Sequence, residues 1–313
     1  MIIPCDVLRE CANLPEFAPA SDLIQRRVIH AANDADRAQL DRIFAFATSP
    51  EGLRLPAVAR WRSFMTTMFA KHYEVWNYLR QIEIQNSNPG HESYVSTSPF
   101  SILPVVGYLY HLNSWGVAGD VIECGCFKGV SATYLSWACK MLNRKLYAAD
   151  SFQGLPPSIA QSEGYYKAGD YAGSLDEVKR TVATFGCPDV VEYVPGFFEN
   201  TLAFLETRRL ALIWADVDLA SSMNAVLRAL YPRLDREGVL LSDEVPAAAF
   251  DGCRIKADAT SVPGAIRSFA ESQKLDHAGA NMNLGVSYIY FNAPGSPLLD
   301  YKKLTTLLLH SSN

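Results

Sequence analysis

Three things are scarce in this chain: basic charge, long apolar runs and cysteines spaced for pairing. Lys and Arg number 28 against 33 Asp and Glu, a formal net charge of −5. A surface built for a polyphosphate chain carries the opposite balance, so no nucleic-acid partner is expected. No uninterrupted apolar stretch approaches the ~20 residues that cross a bilayer, so no membrane partner is expected. The opening Met1-Ile2-Ile3-Pro4-Cys5-Asp6 has no basic segment leading into an apolar run, which argues against a secretory signal. The seven cysteines are odd in number and scattered, at Cys5, Cys11, Cys124, Cys126, Cys139, Cys187 and Cys253. That usage suits a reduced, cytoplasmic protein better than a disulfide framework. Cys124 and Cys126 have no second Cys or His pair at zinc spacing and read as small buried thiols. Repeats, low-complexity segments and the Gly-x-Gly-x-x-Gly signature are also missing.

What is present is enough apolar sequence for one large α/β domain and a smaller attachment: 313 residues, 49% hydrophobic and 19% charged. Residues from Ser21 to Trp115 read as helical. Leu23, Ile24, Val28 and Ile29, then Leu40, Ile43, Phe44 and Phe46, recur at helical spacing. An aromatic-rich helix is expected over Pro56–Ile84, broken by Asn86-Ser87-Asn88-Pro89-Gly90. Another follows Ser98-Pro99 and ends near Asn113, ahead of Gly116. The aromatic stripe is read as core or as an oligomer face. His72 and His91 are either structural or lining a cleft.

From Asp120 onward short apolar strands alternate with helices. The expected strands are Val121–Glu123, Lys145–Ala149, Val190–Val194, Leu210–Ala215, Gly238–Ser242 and Val286–Phe291. The expected helices are Ser131–Leu142, Ser174–Phe185, Glu199–Glu206, Ala220–Tyr231 and Val262–Gln273. Wholly apolar strands joined by helices imply a parallel sheet covered on both faces. Ligands of such a sheet sit beyond the carboxyl ends of its strands. The residues there are Glu123, Asp150, Gly196, Asp216 and Asp243.

The turn Cys124-Gly125-Cys126-Phe127-Lys128-Gly129 joins the first strand to a helix that opens onto it. Glu123 at its start would repel a pyrophosphate. S-adenosylmethionine, which has no phosphate and carries two cationic centres, fits better, with its carboxylate meeting backbone N–H groups and Ser131. Asp150 ends the next strand and can accept two hydrogen bonds from ribose hydroxyls. A capping or loop carboxylate is the other reading of Glu123. A second cluster lies in "IWADVDLASS" and "GVLLSDEVP". Neighbouring parallel strands are about 5 Å apart, so Asp216, Asp243 and Glu244 should converge. Their mutual repulsion calls for a divalent cation such as Mg²⁺, which could bind a substrate hydroxyl and lower its pKa. Asp218 and Asp243 could instead be caps or loop charges, Asp218 for the helix near Ala220.

The stretches "VIECGCFKGVSATYLS", "DSFQGLPP", "GFFENTL" and "ALYPRLDREGVLLSDE" resemble the macrocin O-methyltransferase family of class I methyltransferases, over Gly119 to Ser272. The resemblance implies an α/β fold over 116–313, a doubly wound, mainly parallel Rossmann-like methyltransferase sheet with an antiparallel last strand. A helical region, 1–115, precedes it as substrate or oligomer cap. The resemblance also implies that Glu123, Gly125, Phe127, Gly129, Ser131, Asp150 and Ser151 hold S-adenosylmethionine. Phe197 and Phe198 would then lie near the adenine, and Asp216 would touch both cofactor and metal. Asp216, Asp243 and Glu244 would occupy the Mg²⁺ positions.

Some positions depart from the family. Members show His or Arg at the position of Trp214 and an Ile-like residue at that of Ala215. "SEGYYKAGDYAGSLDEVK", Ser162 to Lys179, should cover the acceptor and contains no His. Asp170, Tyr165, Tyr166 and Tyr171 are its polar candidates. Asp216, Asp218 and Tyr171 are the expected catalytic groups. The expected activity is O-methylation of a small hydroxylated natural product or sugar by a homo-oligomer. Methylation of a phenol or catechol, or an inactive S-adenosylmethionine-binding partner, are the alternatives.

Overall fold

The structure, a computed structural model, describes residues 3–25, 34–85, 97–157, 166–205, 209–282 and 285–292. Among the described residues nine strands form in chain order: β1 (Asp120–Cys124), β2 (Leu146–Asp150), β3 (Val191–Pro195), β4 (Leu210–Ala215), β5 (Leu234–Ser242), β6 (Phe250–Asp251), β7 (Arg254–Ile255), β8 (Asp276–Asn281) and β9 (Ser287–Asn292). Seven of them make one sheet in the order β3-β2-β1-β4-β5-β9-β8, and β6 and β7 make a separate ribbon. β1 through β5 pair in parallel, while β9 runs antiparallel to both β5 and β8. Every residue of β4 is buried, as its unbroken apolar run requires, whereas edge strand β3 is half exposed.

The described residues also form ten α-helices: α1 (Cys5–Ala12), α2 (Ala20–Gln25), α3 (Asp34–Ala47), α4 (Pro56–Gln85), α5 (Pro99–Trp115), α6 (Val130–Met141), α7 (Leu175–Phe185), α8 (Phe198–Thr201), α9 (Ala220–Leu230) and α10 (Val262–Ser272). Alternation along the strands divides the core. Val121, Ala148, Leu212, Trp214 and Leu241 face α5 and α6, and that cluster continues into α1 and α4. Ile122, Tyr147, Ile213 and Leu240 face α9 and α10. The two cores are therefore set by strand parity. Helix α5 starts where Ser98 accepts a hydrogen bond from Ser101 N at 3.1 Å. It stops at Gly116, in the left-handed region with φ +78°.

The switch point lies between β1 and β4. The chain leaves β1 toward β2 on one side and returns to β4 on the other, which opens a crevice at their carboxyl ends. The mainly parallel sheet and the antiparallel last strand agree with the sequence reading, and so do α4 and α5. Four details differ. β8 is an addition, because Asp-His-Ala-Gly-Ala-Asn lacks β-branched and aromatic residues and becomes a strand only by pairing with β9. The β6–β7 ribbon and α1 are too short to leave a period. The helix expected at Glu199–Glu206 is α8 followed by a 3₁₀ turn at Leu202–Leu205, with Glu206 outside the described residues. Val28, Ile29, His91 and Tyr165 also lie outside them. No helix among the described residues is long and apolar enough to cross a membrane. No disulfide joins the seven cysteines, and all of them are buried.

Candidate active site

A cavity of about 340 Å³ opens at the switch point. The turn after β1, the end of β2, the start of α8, the ends of β4 and β5, and the N-terminal turn of α5 all reach its wall. Of the residues singled out in the sequence, Gly125, Phe127, Ser131, Asp150, Ser151, Tyr171, Phe197, Phe198, Asp216, Asp218 and Asp243 line it. Glu123, Gly129 and Glu244 do not line it.

Gly125 has φ +93°, and a side chain there would overlap the backbone oxygen of Asp216. Gly125 N donates to Ala149 O at 2.9 Å and Asp216 N to Cys124 O at 3.0 Å. The turn is thereby tied to both neighbouring strands. Gly129, at φ +82°, is the N-cap of α6 and faces α7 instead, where a Cβ would meet Val178 Cγ1 at 2.9 Å. A side chain is thus excluded at this position by packing against α7.

Asp150 holds the turn from the other side. Its Oδ2 accepts Cys126 N at 2.7 Å and Phe127 N at 3.2 Å, and its Oδ1 accepts Phe152 N at 2.7 Å. Burial raises its pKa, and these backbone bonds oppose the shift. Three of the roughly four acceptor positions of a carboxylate are thus used by the loop, which leaves room for about one ribose hydroxyl rather than two.

Glu123 is fully buried one residue behind the wall, in register with Trp214 of β4. Its carboxylate lies near the Ser131 hydroxyl and the Cys126 thiol without a well-formed hydrogen bond, and the indole Nε1 of Trp214 has no partner. Burial raises the pKa of Glu123 to about 8, with Asp150 adding to the shift and the neighbouring Ser131 and Cys126 opposing it. The free protein therefore holds this proton while the unfolded chain, at 4.5, has released it. Glu123 should by itself contribute a fall in stability of about 1.4 kcal/mol per pH unit between those two values and none above the higher one. Glu123→Gln keeps the shape and removes this slope, which urea denaturation across the window measures. An unaltered slope in the variant would assign it to other groups.

The metal candidates converge as adjacency of β4 and β5 requires. One oxygen each from Asp216, Asp243 and Glu244 lies within 4.8 Å of the others. Burial, then the charges of Asp243, Asp218, Glu123 and Glu244, raises the Asp216 pKa well above its ordinary value. Burial likewise raises Asp243 to about 6 and Glu244 to about 7. Asp243 Oδ1 is buried without a partner. Three hard oxygen donors, one of them unsatisfied, suit an oxygen-preferring dication.

Asp218 does not cap α9. The N-cap of that helix is Leu219, with no side-chain cap, and Asp218 faces the cavity with the Tyr166 hydroxyl against its carboxylate. Tyr166 meets Tyr171 edge to face at 6.1 Å, and Tyr171 meets Phe127 at 5.9 Å. Asp170 is a loop cap, its Oδ2 accepting Lys167 N at 2.7 Å. Leu155 N to Asp170 O and Gly169 N to Leu155 O, at 2.9 and 3.0 Å, pin this end of the covering segment to the loop after β2. His72 is fully buried, with Nε2 3.3 Å from Tyr134 O, and is not on the wall.

The sequence reading does not single out Thr97, Ser101, Lys128 or Glu199 as site residues, nor place Trp214 on the wall, and all five line the cavity. The Ser98-Pro99 helix start is visible in the sequence, but its place at the cavity is set by packing of α5 on α6 and β4.

A family model described as macrocin-O-methyltransferase (TylF) matches residues 108–275. The 8-demethyl-8-(2,3-dimethoxy-alpha-L-rhamnosyl)-tetracenomycin-C 4'-O-methyltransferase of Streptomyces olivaceus is 33% identical over 150 residues, 44% of this chain and 56% of that one. The mycinamicin III 3''-O-methyltransferase of Micromonospora griseorubida is 33% identical over 147 residues, 42% of this chain and 58% of that one. The chain thus spans a little over half the length of these curated relatives. The solved O-methyltransferase NovP superposes with a TM-score of 0.53 at 18% identity, over 64% of this chain and 83% of that one. The calicheamicin methyltransferase CalS11 gives 0.50 at 18% identity, over 72% and 93%. Both structures share the fold.

Proposed function

Because the chain belongs to the macrocin O-methyltransferase family, we propose that it transfers a methyl group from S-adenosylmethionine to a hydroxyl of a small natural product or sugar, assisted by Mg²⁺. The observation that carries this reading is the convergence of Asp216, Asp243 and Glu244 within 4.8 Å beside a cavity entered by the glycine turn. The cofactor brings an electrophilic methyl on a sulfonium, and the dication brings Lewis acidity toward a hydroxyl oxygen.

The remaining work falls to side chains of this chain. The Cys124–Gly129 turn, held by Asp150, and Ser131 in the first turn of α6 would receive the polar end of the cofactor. Asp150 has an acceptor position left for the ribose, next to Ser151. Phe197 and Phe198 offer apolar surface to the base. Buried Glu123, which holds its proton in the free protein, would release it to meet a cation in front of it. Asp216, Asp243 and Glu244 would hold the metal, with Asp216 also reaching the cofactor. Asp218 would take the proton from the acceptor hydroxyl at its carboxylate oxygen, with the Tyr166 hydroxyl fixing its orientation. Tyr171 closes the wall above it. Residues 1–115 serve as cap and as the face for self-association, where Tyr73, Tyr78 and Phe100 stand exposed. Cysteines that form no disulfide suit a reduced, cytoplasmic setting.

Incubation with S-adenosylmethionine and a panel of hydroxylated glycosides tests this by mass spectrometry. One methyl should be added to an acceptor oxygen, and EDTA should abolish the addition. Undiminished transfer in chelator removes the metal from the reading. S-adenosylmethionine binding without transfer to any hydroxyl would favour an inactive binding partner.

A further inference from the structure

Two buried polar side chains stand next to each other across the β1–β4 pairing without forming a bond. Glu123 of β1 and Trp214 of β4 are in register. In-register side chains on neighbouring parallel strands leave the sheet on the same face, with strand axes about 5 Å apart. That face is the one covered by α5 and α6, to which Trp214 and Val121, two residues before Glu123, both belong. Both side chains are buried.

The indole Nε1 can only donate, and it has no acceptor although it is shut off from solvent. An ionised Glu123 can only accept, and with the Ser131 hydroxyl and the Cys126 thiol beside it there is still room for a further donor. A buried donor without an acceptor is costly and calls for a reason. Phenylalanine would serve packing alone, since it fills most of the same space without the N–H. Trp214 also lines the cavity, while Glu123 stands one residue behind the turn that borders it.

We propose that Trp214 is a positioning residue for Glu123: when the cofactor's ammonium lies in front of the turn, the indole N–H donates to the Glu123 carboxylate and fixes it toward that charge. This rests on the methyltransferase reading. The strands need not move, because rotation about the side-chain bonds of Glu123 closes the pair. In the free protein burial keeps the carboxyl protonated, so the indole has no anion to meet. A hydrogen bond to an ionised group is about twice as strong as one between neutral groups, so the pairing follows ionisation.

Calorimetry and indole N–H nuclear magnetic resonance with S-adenosylhomocysteine, which carries the same ammonium, test it. The chain has five tryptophans, and Trp214→Phe assigns the indole signal in question. Should that variant not fold, benzothienylalanine at position 214, with sulfur in place of the N–H, keeps the ring and serves the same purpose. On saturation of the parent the Trp214 signal should move downfield, as a donor gaining an anionic acceptor does. Either replacement should weaken S-adenosylhomocysteine about tenfold or more, the loss of one hydrogen bond to a charged group. Combined with Glu123→Gln, the loss should be smaller than the sum of the two, since both changes break one interaction. An unmoved signal in the saturated parent, parental affinity in the replacement, or additive losses would mark a tryptophan that merely packs, and would overturn the inference while the methyltransferase reading stands. Failure of S-adenosylhomocysteine to bind the parent overturns that reading, and the inference with it.

Discussion

Asp243→Asn should lower methyl transfer by at least about 100-fold, the several kcal/mol that a bound dication contributes to stabilising developing charge. S-adenosylhomocysteine affinity should change little, because Asp243 belongs to the carboxylate trio at the end of β5 and not to the glycine turn. The amide keeps the shape and removes one negative charge. In the metal-free protein that charge opposes Asp216, whose pKa its presence helps to raise. The variant should therefore be as stable as the parent without metal, or more stable, and should lose the stabilisation that added Mg²⁺ gives the parent. A rate loss paired with unfolding would point to a structural role. Near-full activity would remove the trio from the chemistry.

Gly125→Ala should cost more stability than Asp243→Asn or Glu123→Gln. A left-handed alanine costs about 1–2 kcal/mol by itself. At Gly125 the new Cβ would also overlap the backbone oxygen of Asp216, the residue that follows β4, a strand that cannot retreat because it is buried along its whole length. The turn or the β1–β4 pairing must shift, so a loss beyond about 3 kcal/mol is expected, together with loss of cofactor binding. Gly169→Ala is the control. Gly169 is also left-handed, at φ +86°, but a side chain there would meet nothing within 4 Å. It should lose only the conformational part, about 1–2 kcal/mol. Urea denaturation of the two variants separates overlap from strain, and equal losses would contradict the geometry.

The parallel half of the sheet is legible because buried strands cannot hide: Leu210–Ala215 is apolar at every position and sits at the centre. Parity and strand adjacency then bring Asp216 and Asp243 together with no further information. What the sequence could not carry is set by partners distant in the chain. β8 has small residues and depends on β9. Thr97 and Ser101 reach the cavity because α5 packs on β4 and α6. Glu123 and Gly129 show the converse. Both belong to the motif by spacing, yet one stands behind the wall and the other against α7. Asp150 is legible as a site residue but not as the anchor of its own loop, since the three amides it holds become neighbours only when the turn closes.

Titration of the protein with S-adenosylhomocysteine and, separately, with NAD is the most direct test of the central claim, that the β1–β4 crevice is built for a phosphate-free, cationic nucleoside cofactor. The wall carries five carboxylates and Glu123 lies buried behind the turn, so S-adenosylhomocysteine should bind at the glycine turn and NAD should give no saturable signal. Tighter binding of NAD than of S-adenosylhomocysteine would contradict the account.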